Sequence, residues 1–333
     1  PLEEVDALYH GDYSKWLKLA NSVKLRLAMR ICYVKPDLAK QYAMEAVRDG
    51  VMETADDSAL FQSWGSITVI NPLEKIWNGY SDTRMGASMD SYLNGYNDPR
   101  LPVYFQPVTD GDNKGEYRGV ANGMPNPQQE DYKAMSSPNV QEKSTDSPLR
   151  WMMASEVAFL RAEGAMRGWT AEMGGTAEEF YNKGIELSFL ENGLSADAAA
   201  RYAADETSKP TDFTDVSAAN TKYNISALGK IAIKWNSGAS EEEQLERIIT
   251  QKWIAMFPNG TEAWSEFRRT GYPRLFPVRY NYPSSGVDTN KQIRRMVFPQ
   301  SEYSNNGAAV QEAVKLLGGP DNGGTKLWWD KKN

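Results

Sequence analysis

The hydrophobic pattern of the first sixty residues predicts two helices joined by a short turn. In YSKWLKLANSVKLRLAMRICYV, apolar residues recur at the spacing of one face of an α-helix. The next segment, PDLAKQYAMEAVRDG, has a proline near its start and a glycine past its end, as helices often do. Alanines in both segments would let the two helices approach closely as an αα-hairpin. In the first helix we expect a buried stripe formed by Trp16, Ala20, Val23, Leu27 and Ile31.

Polar side chains follow another face of the first predicted helix. Lys18, Ser22, Arg26 and Arg30 form this row. The row is either a solvated or ion-paired surface or a contact for a partner. The single cysteine, Cys32, falls within the same predicted helix, where a small buried residue is the simplest interpretation.

A second helical hairpin is predicted around residues 148–193. Its second helix lies in GGTAEEFYNKGIELSFLENG, where Thr176 and Glu179 fit a capping box at the helix start. Later helices are predicted in GASEEEQLERIITQKWIAMF, TEAWSEFRRTG and NNGAAVQEAVKLLGG, whereas LGKIAIKW is only an ambiguous strand candidate. The two hairpins resemble tetratricopeptide-type units without a strict repeat. The first helix of this hairpin is expected to stack Trp151, Ala154, Ala158, Ala162 and Ala165.

Residues 61–150 differ from the helical segments on both sides, because they are rich in Gly, Asn, Pro and Tyr. Long irregular segments in a compact domain are usually functional or disordered, and disorder normally goes with few aromatic residues. We therefore interpret this segment as ordered loops that display rings, among them Trp64, Trp77, Tyr80, Tyr92, Tyr96, Tyr104 and Tyr117.

Composition and charge narrow the classes of function. The chain has 333 residues, of which 41% are hydrophobic and 24% charged, as in ordinary globular proteins. Its net charge of −7 argues against nucleic-acid binding, which needs a basic face against the phosphates. No stretch approaches the ~20 apolar residues of a membrane-spanning helix. One cysteine and one histidine, His10, leave no internal disulfide and little basis for histidine-dependent chemistry.

A calcium loop and a catalytic carboxylate pair are the two alternatives to a binding site in the loops that carry the rings. DGDNKG, which starts at Asp110, matches the beginning of a calcium loop, but Lys114 and Ala121 stand where ligands are required. We predict a turn there and no cofactor, and calcium is not indicated. The 44 acidic residues offer many carboxylate pairs for glycoside hydrolysis, and none is singled out. The rings are more informative, because pockets combine such an apolar floor with a few fixed polar groups.

Several segments together resemble the SusD/RagB family of outer-membrane nutrient-binding lipoproteins. The resemblance implies a mainly α-helical SusD-like fold, with tetratricopeptide-like hairpins as a scaffold, long ligand-binding loops and minor β structure. It implies one domain over 1–333 that lacks its N-terminal part, with a helical hairpin (1–60), a loop-rich ligand-binding region (61–150) and a helical scaffold (151–333). In the family's order the segments are WLKLANSVKLRLAMRI (16–31), NDPRLPVYF (97–105), EVAFLRAEGAMRGW (156–169), QKWIAMFPNGTEAWSEFRRTGYP (251–273) and RRMVFPQSEYSNNGAAVQEAVKLLGGPDNGGTKLWWD (294–330).

The same resemblance implies a non-enzymatic protein that binds oligosaccharide and delivers it to a SusC-like TonB-dependent transporter. The expected location is the cell outer membrane, as a surface-exposed lipoprotein whose lipid anchor is absent from this chain. A peptide-binding member of the family is the nearest alternative. A carboxylate glycosidase and a purely structural lid on the transporter also stay open.

The aromatic and arginine-rich segment 253–273 is either a binding surface or a packed helix corner. The resemblance implies that the segment is a packed helix corner and part of the scaffold. We expect Trp253 and Trp264 to pack into the core, and Arg268 and Arg269 to bind nearby carboxylates or carbonyls. The same interpretation applies to two tryptophans near the end of the chain, Trp328 and Trp329.

The candidate ligand site is placed in the middle loops from loop position and chemistry, without a residue-level family motif. Trp77 and Tyr80 are the expected stacking platforms for sugar rings. Hydroxyl groups would be bonded by three neighbouring side chains, Asn78, Asp82 and Arg84. The next loop adds two further candidates, Tyr117 and Asn122.

Overall fold

The computed structural model describes residues 2–81, 83–125, 129–139 and 147–332, except for the side chains at positions 2, 77, 78 and 218. Within these residues the fold is mainly α-helical, as expected, and the two strands form one antiparallel pair. The strands are β1 (Ala59–Phe61) and β2 (Leu149–Met152). The helices are α1 (Tyr13–Arg30), α2 (Pro36–Arg48), α3 (Pro72–Glu74), α4 (Ala87–Gly95), α5 (Leu101–Tyr104), α6 (Gln129–Tyr132), α7 (Ala154–Met166), α8 (Thr170–Met173), α9 (Ala177–Leu190), α10 (Ala196–Ala203), α11 (Glu241–Ala255), α12 (Gly260–Thr270) and α13 (Gln300–Leu317).

Helices α1 and α2 form the predicted hairpin, but the buried face of α1 is not the predicted one. Its buried side chains include Leu25 and Met29, and two polar residues, Asn21 and Ser22, lie on the same face. The Asn21 amide donates to the carbonyls of Asp49 and Gly50 at 3.0 and 2.8 Å. Buried polar groups are tolerated when they are hydrogen-bonded in this way. The predicted stripe was therefore wrong: Trp16, Ala20 and Leu27 are exposed, and Val23 and Ile31 are half-buried.

The basic row of α1 is ion-paired, which confirms one of its two interpretations. Lys18 lies 2.7 Å from the Asp57 carboxylate, and Arg26 lies 2.6 Å from Glu156. Arg30 pairs with Glu262 on α12. These contacts join α1 to other helices of the scaffold. Cys32 is buried as expected, although it follows the end of α1 instead of lying within it.

Helices α7 and α9 form the second hairpin, and α7 runs through the centre of the molecule. Eleven of its 13 residues are buried, because α1, α9 and α11 all pack against it. The predicted capping box at Thr176 and Glu179 is confirmed at the start of α9. The predicted stack was wrong at Trp151, which lies on β2 and stays 49% exposed, with its ring stacked on Phe61.

Charged side chains fill part of the core between α7, α11 and α12. The Arg269 guanidinium lies 2.6 Å from carboxylate oxygens of both Glu163 and Glu266, and the Lys252 ammonium lies 3.0 Å from Glu266. We call these four residues the ion-paired core. Burial favours a protonated Glu163, but the neighbouring Arg269 and Arg167 outweigh burial and hold its pKa below the ordinary value.

The segment 253–273 belongs largely to this scaffold, as expected, but the predicted core packing of Trp264 was wrong, because this ring is half-buried. The Trp264 indole donates to the Ile293 carbonyl at 2.8 Å, and its ring lies 3.5 Å from the Arg268 guanidinium. Arg268 also donates to the Arg294 carbonyl at 2.8 Å. Near the chain end, Trp329 is half-buried against Arg268, whereas Trp328 is 62% exposed, so its predicted packing was wrong.

The middle region contributes rings to the core as well as to the surface. Tyr92, Tyr96 and Tyr104 are buried in the hydrophobic cluster around α4, α9 and α11, so these three rings are packing residues. Among the described residues, no helix is long and apolar enough to span a membrane. The same residues contain no group of three His, Cys, Asp or Glu side chains placed to hold a metal ion.

Candidate functional site

Three neighbouring cavities share walls along the middle region. The first has a volume of about 600 Å³, the second about 300 Å³ and the third about 370 Å³. Arg84, Met85, Gly86 and Asn122 line both the first and the second cavity. Leu73 and Pro258 line both the second and the third. The three cavities are therefore adjacent, and each has a size typical of ligand sites in proteins.

Backbone hydrogen bonds hold the walls of the first cavity. The Val120 amide donates to the Met85 carbonyl at 2.8 Å, and the Ala87 amide donates to the Val120 carbonyl at 2.9 Å. On its other side, Met85 donates to the Ser136 carbonyl at 2.7 Å. The cavity is thus built from segments distant in sequence, which become neighbours through these bonds.

Asn122 lies at the wall between the first and second cavities. Its backbone carbonyl accepts from the Arg279 amide at 3.1 Å, and Gly123 follows with a φ of +71°. A Cβ at Gly123 would lie 2.4 Å from Val278 Cγ1, so the close approach of the two segments needs glycine. The exposed Asn122 carboxamide forms no hydrogen bond within the described residues, and neither does the Gln129 carboxamide in the same cavity.

Two tyrosines of the first cavity have different environments. Tyr80 is 59% exposed, and the Lys75 ammonium lies 5.7 Å from the centre of its ring. Tyr132 is buried, and its hydroxyl contacts the Asp215 carboxylate at 3.0 Å and accepts from the Asn220 amide at 2.7 Å. Burial and the Asp215 carboxylate raise the pKa of Tyr132 well above its ordinary value. Tyr132 is therefore a fixed wall, and Tyr80 is the accessible ring.

Arg84 lines the first two cavities and braces their wall. Its guanidinium donates to the backbone carbonyls of Ser81 at 3.0 Å, Thr83 at 2.8 Å and Lys133 at 2.6 Å. These bonds join the segment around Tyr80 to the end of α6. The structure thus brings Tyr80, Arg84 and Asn122 together, three of the seven residues that the sequence suggested.

Of the other four suggested residues, only Tyr117 has a described side chain. Tyr117 is half-buried against the hydrophobic cluster around α4 and lines none of the three cavities. Asp82 lies outside the described residues. Trp77 and Asn78 belong to a π-helical turn, Lys75–Gly79, but their side chains are outside the description. The proposed roles of these residues stay predictions.

The second and third cavities contain rings that the sequence did not suggest for a site. Trp253 is half-buried, lies 5.8 Å from the Tyr92 ring, and also lines the second cavity with Phe257. In the third cavity the exposed ring is Trp151. Helical spacing placed Trp151 in a packed face, and the family resemblance placed Trp253 there. Neither argument reports that a packed face borders a cavity.

The described walls of all three cavities carry no carboxylate. Their described polar side chains are mainly amides, hydroxyls and the cations of Arg84, Lys133 and Arg150. Lys133 is paired with Glu130 on α6. Such walls combine flat rings with hydrogen-bonding groups, which suits a neutral polar ligand better than a cationic one.

Comparisons with known proteins give one family. The chain matches the family model described as SusD-like, "Susd and RagB outer membrane lipoprotein", over residues 1–330. A comparison with curated protein sequences gives no match.

Solved structures similar to this chain include a chitin-binding SusD homolog from Flavobacterium johnsoniae. It is 43% identical with a TM-score of 0.92, over 100% of this chain and 67% of that one. A SusD-like protein from Bacteroides thetaiotaomicron is 45% identical with a TM-score of 0.91, over 98% of this chain and 66% of that one. A SusD homolog from Bacteroides vulgatus is 37% identical with a TM-score of 0.92, over 100% and 66%. The chain thus spans about two thirds of the length of these relatives.

Proposed function

The chain belongs to the SusD/RagB family of outer membrane lipoproteins, and from this premise we propose that it binds an oligosaccharide at the cell surface without hydrolysing it. The bound oligosaccharide would be delivered to a SusC-like TonB-dependent transporter. The observation that carries the proposal is the first cavity, where the accessible Tyr80 ring lies with the Asn122 and Gln129 carboxamides.

The chemistry of this cavity suits a sugar. A flat exposed ring can stack on the C–H face of a pyranose, and free carboxamides donate to and accept from hydroxyl groups. Neither carboxamide has a hydrogen bond within the described residues, so a ligand would not have to displace an internal partner. The bracing of Arg84 and Tyr132 keeps the wall in place, which lowers the entropic cost of binding.

The ligand class that we propose is a chitin-type oligosaccharide. One similar structure, 43% identical to this chain, is that of a chitin-binding SusD homolog. Acetamido groups combine an amide with a methyl group. The first cavity offers matching surfaces, because Met85, Val120 and Ala121 lie beside the two carboxamides. A hydroxyl-only glucan would use the carboxamides but not the apolar surface.

The other readings have less support in the described residues. A two-carboxylate glycosidase needs acidic groups across a cleft, and the described walls of the three cavities have none. A peptide ligand would favour backbone hydrogen bonds to an exposed strand edge. A structural lid without a ligand would need no organised pocket, whereas the described residues form the first cavity.

The test is calorimetric titration of the protein with hexa-N-acetylchitohexaose, cellohexaose and a mixed peptide pool. We expect the acetylated oligosaccharide to bind most tightly. Tyr80→Ala and Asn122→Ala should each weaken this binding at least tenfold, or by about 1.4 kcal/mol. Trp77→Ala tests the ring that the sequence suggested.

Trp328→Ala is the matched control, because Trp328 is exposed and lines none of the three cavities. The Trp328→Ala variant should bind hexa-N-acetylchitohexaose with the same affinity as the unmodified protein. Preferential binding of peptides would replace the oligosaccharide proposal with the peptide-binding one. Slow release of shorter sugars from hexa-N-acetylchitohexaose, followed by chromatography, would contradict a non-enzymatic role.

A further inference from the structure

The third cavity contains a braced aromatic platform. Trp151 on β2 is 49% exposed, and its ring stacks on Phe61 of β1 with 5.0 Å between the ring centres and 18° between the planes. The two strands are paired at this point, with Phe61 opposite Leu149. Because Phe61 supports one face of the indole, the ring is held in place before any ligand arrives.

Polar groups at the start of α12 lie in the same cavity as this platform. Asn259 uses its side-chain oxygen to cap α12, where it accepts from the Glu262 amide at 3.3 Å. Its NH₂ group forms no hydrogen bond within the described residues. Thr261 is exposed, and its hydroxyl is equally without a partner in the described part of the chain. A ring with two free polar groups repeats the composition of the first cavity.

The second cavity connects this platform to the first. Its walls share Asn122 and Arg84 with the first cavity and Leu73 and Pro258 with the third. Each cavity has an aromatic residue in its wall: Tyr80 in the first, Trp253 in the second and Trp151 in the third. A linear ligand that continues past Asn122 therefore meets another ring in each following cavity.

We propose that the third cavity is a distal subsite, in which Trp151 stacks on a sugar unit of a long oligosaccharide whose other end occupies the first cavity. This inference rests on the proposed function and adds to it a preference for chain length. Short ligands fill the first cavity alone, and longer ones also contact Trp253 and Trp151. A linked second contact raises affinity because the ligand is already held nearby.

Calorimetric titration of tri-N-acetylchitotriose and hexa-N-acetylchitohexaose tests the subsite. The unmodified protein should bind the hexamer at least tenfold more tightly than the trimer, or by about 1.4 kcal/mol. Trp151→Ala should remove most of this difference by weakening the hexamer alone. Tyr80→Ala should weaken both oligomers.

Two more variants separate ring stacking from a loss of folding. Trp151→Phe keeps a flat ring against Phe61 and should retain the preference for the hexamer. Trp151→Leu keeps apolar volume without a flat ring and should lose it. Urea unfolding of each variant, with a midpoint equal to that of the unmodified protein, shows that the fold is intact.

The outcomes distinguish this inference from the proposed function. Equal affinity for trimer and hexamer, or a hexamer affinity that Trp151→Ala does not change, overturns the subsite and leaves oligosaccharide binding in place. A trimer weakened by Trp151→Ala as much as the hexamer also overturns it, because the third cavity would then be the primary site. If neither oligomer binds, the chitin-type ligand and the subsite both fail.

Discussion

Around Arg269, the guanidinium lies 2.6 Å from the carboxylates of both Glu163 and Glu266, whereas the Asn122 carboxamide forms no hydrogen bond within the described residues. Both residues are polar and both are held by long-range contacts. They differ in whether the side chain or the backbone makes these contacts. In the ion-paired core the side chains bind one another. At the first cavity, the Asn122 backbone is bound to Arg279, and the side chain stays available for the proposed ligand.

This difference separates residues that stabilise the fold from residues to which we assign binding in the proposed function. A buried charge without its partner is strongly destabilising, so the members of the ion-paired core depend on one another. An exposed carboxamide without a partner has little influence on folding and is available for recognition. The contrast predicts that changes in the two regions affect different measurements.

The largest effect is expected for Arg269→Met. The change leaves the carboxylates of Glu163 and Glu266 buried near each other with a partner lost, which should lower the free energy of unfolding by about 3–5 kcal/mol. Urea denaturation measures this loss. The folded fraction should bind hexa-N-acetylchitohexaose with unchanged affinity.

Arg48→Met is the control for that measurement, because Arg48 is exposed and, in the described part of the chain, pairs only with its neighbour Asp49. It should leave the free energy of unfolding almost unchanged, because an exposed ion pair is screened by water. A similar loss in both variants would break the distinction between the ion-paired core and the surface.

An intermediate effect is expected for Gly123→Ala, which acts on the support of the binding region. The new Cβ would lie 2.4 Å from Val278 Cγ1 at a φ of +71°. We expect the free energy of unfolding to fall by about 1–3 kcal/mol, and hexa-N-acetylchitohexaose to bind more weakly because Asn122 shifts. Gly115→Ala is the matched control, with a φ of +90° and open space around the new Cβ. If Gly115→Ala weakens binding as much, backbone strain alone explains the loss.

The smallest effect on binding is expected when the pH changes. The carboxylates with lowered pKa values lie in the ion-paired core, and the described walls of the three cavities carry no carboxylate. Glu163 and Glu266 have pKa values held below the ordinary 4.5 in the folded protein, against burial, by Arg269 and other cations. A depressed folded pKa contributes stability above pH 4.5 that is lost as the pH falls below this value. The Asn122 and Gln129 carboxamides are not ionisable, so the binding that depends on them should stay constant between roughly pH 5 and 8.

Urea midpoints from pH 7 to pH 3, measured for the unmodified protein and for Glu163→Gln, test the predicted loss of stability on acidification. The variant should be less stable at neutral pH and lose less on acidification. Titration calorimetry tests the predicted constancy of the affinity. An affinity that falls sharply above pH 5 would indicate an ionised group at the site beyond the described walls.

The fold was predictable from the sequence where local spacing carries the information. The helices α1, α2, α9 and α11 lie in the segments whose apolar or capping residues predicted them. The pairing of Lys18, Arg26 and Arg30 was one of two open interpretations. For the site, Tyr80, Arg84 and Asn122 were suggested from ring and amide chemistry in a loop-rich segment, and they line one cavity.

What the sequence by itself determined is the family, the helical scaffold and the kind of side chain offered by the middle loops. Tertiary structure alone decided which face of α1 is buried, because Asn21 could be buried only where the carbonyls after α2 accept its amide protons. It also decided that Tyr92 packs in the core while Trp151 faces a cavity. The physical reason is that helix periodicity is local, whereas the partners that satisfy or leave free a polar or aromatic group come from distant parts of the chain.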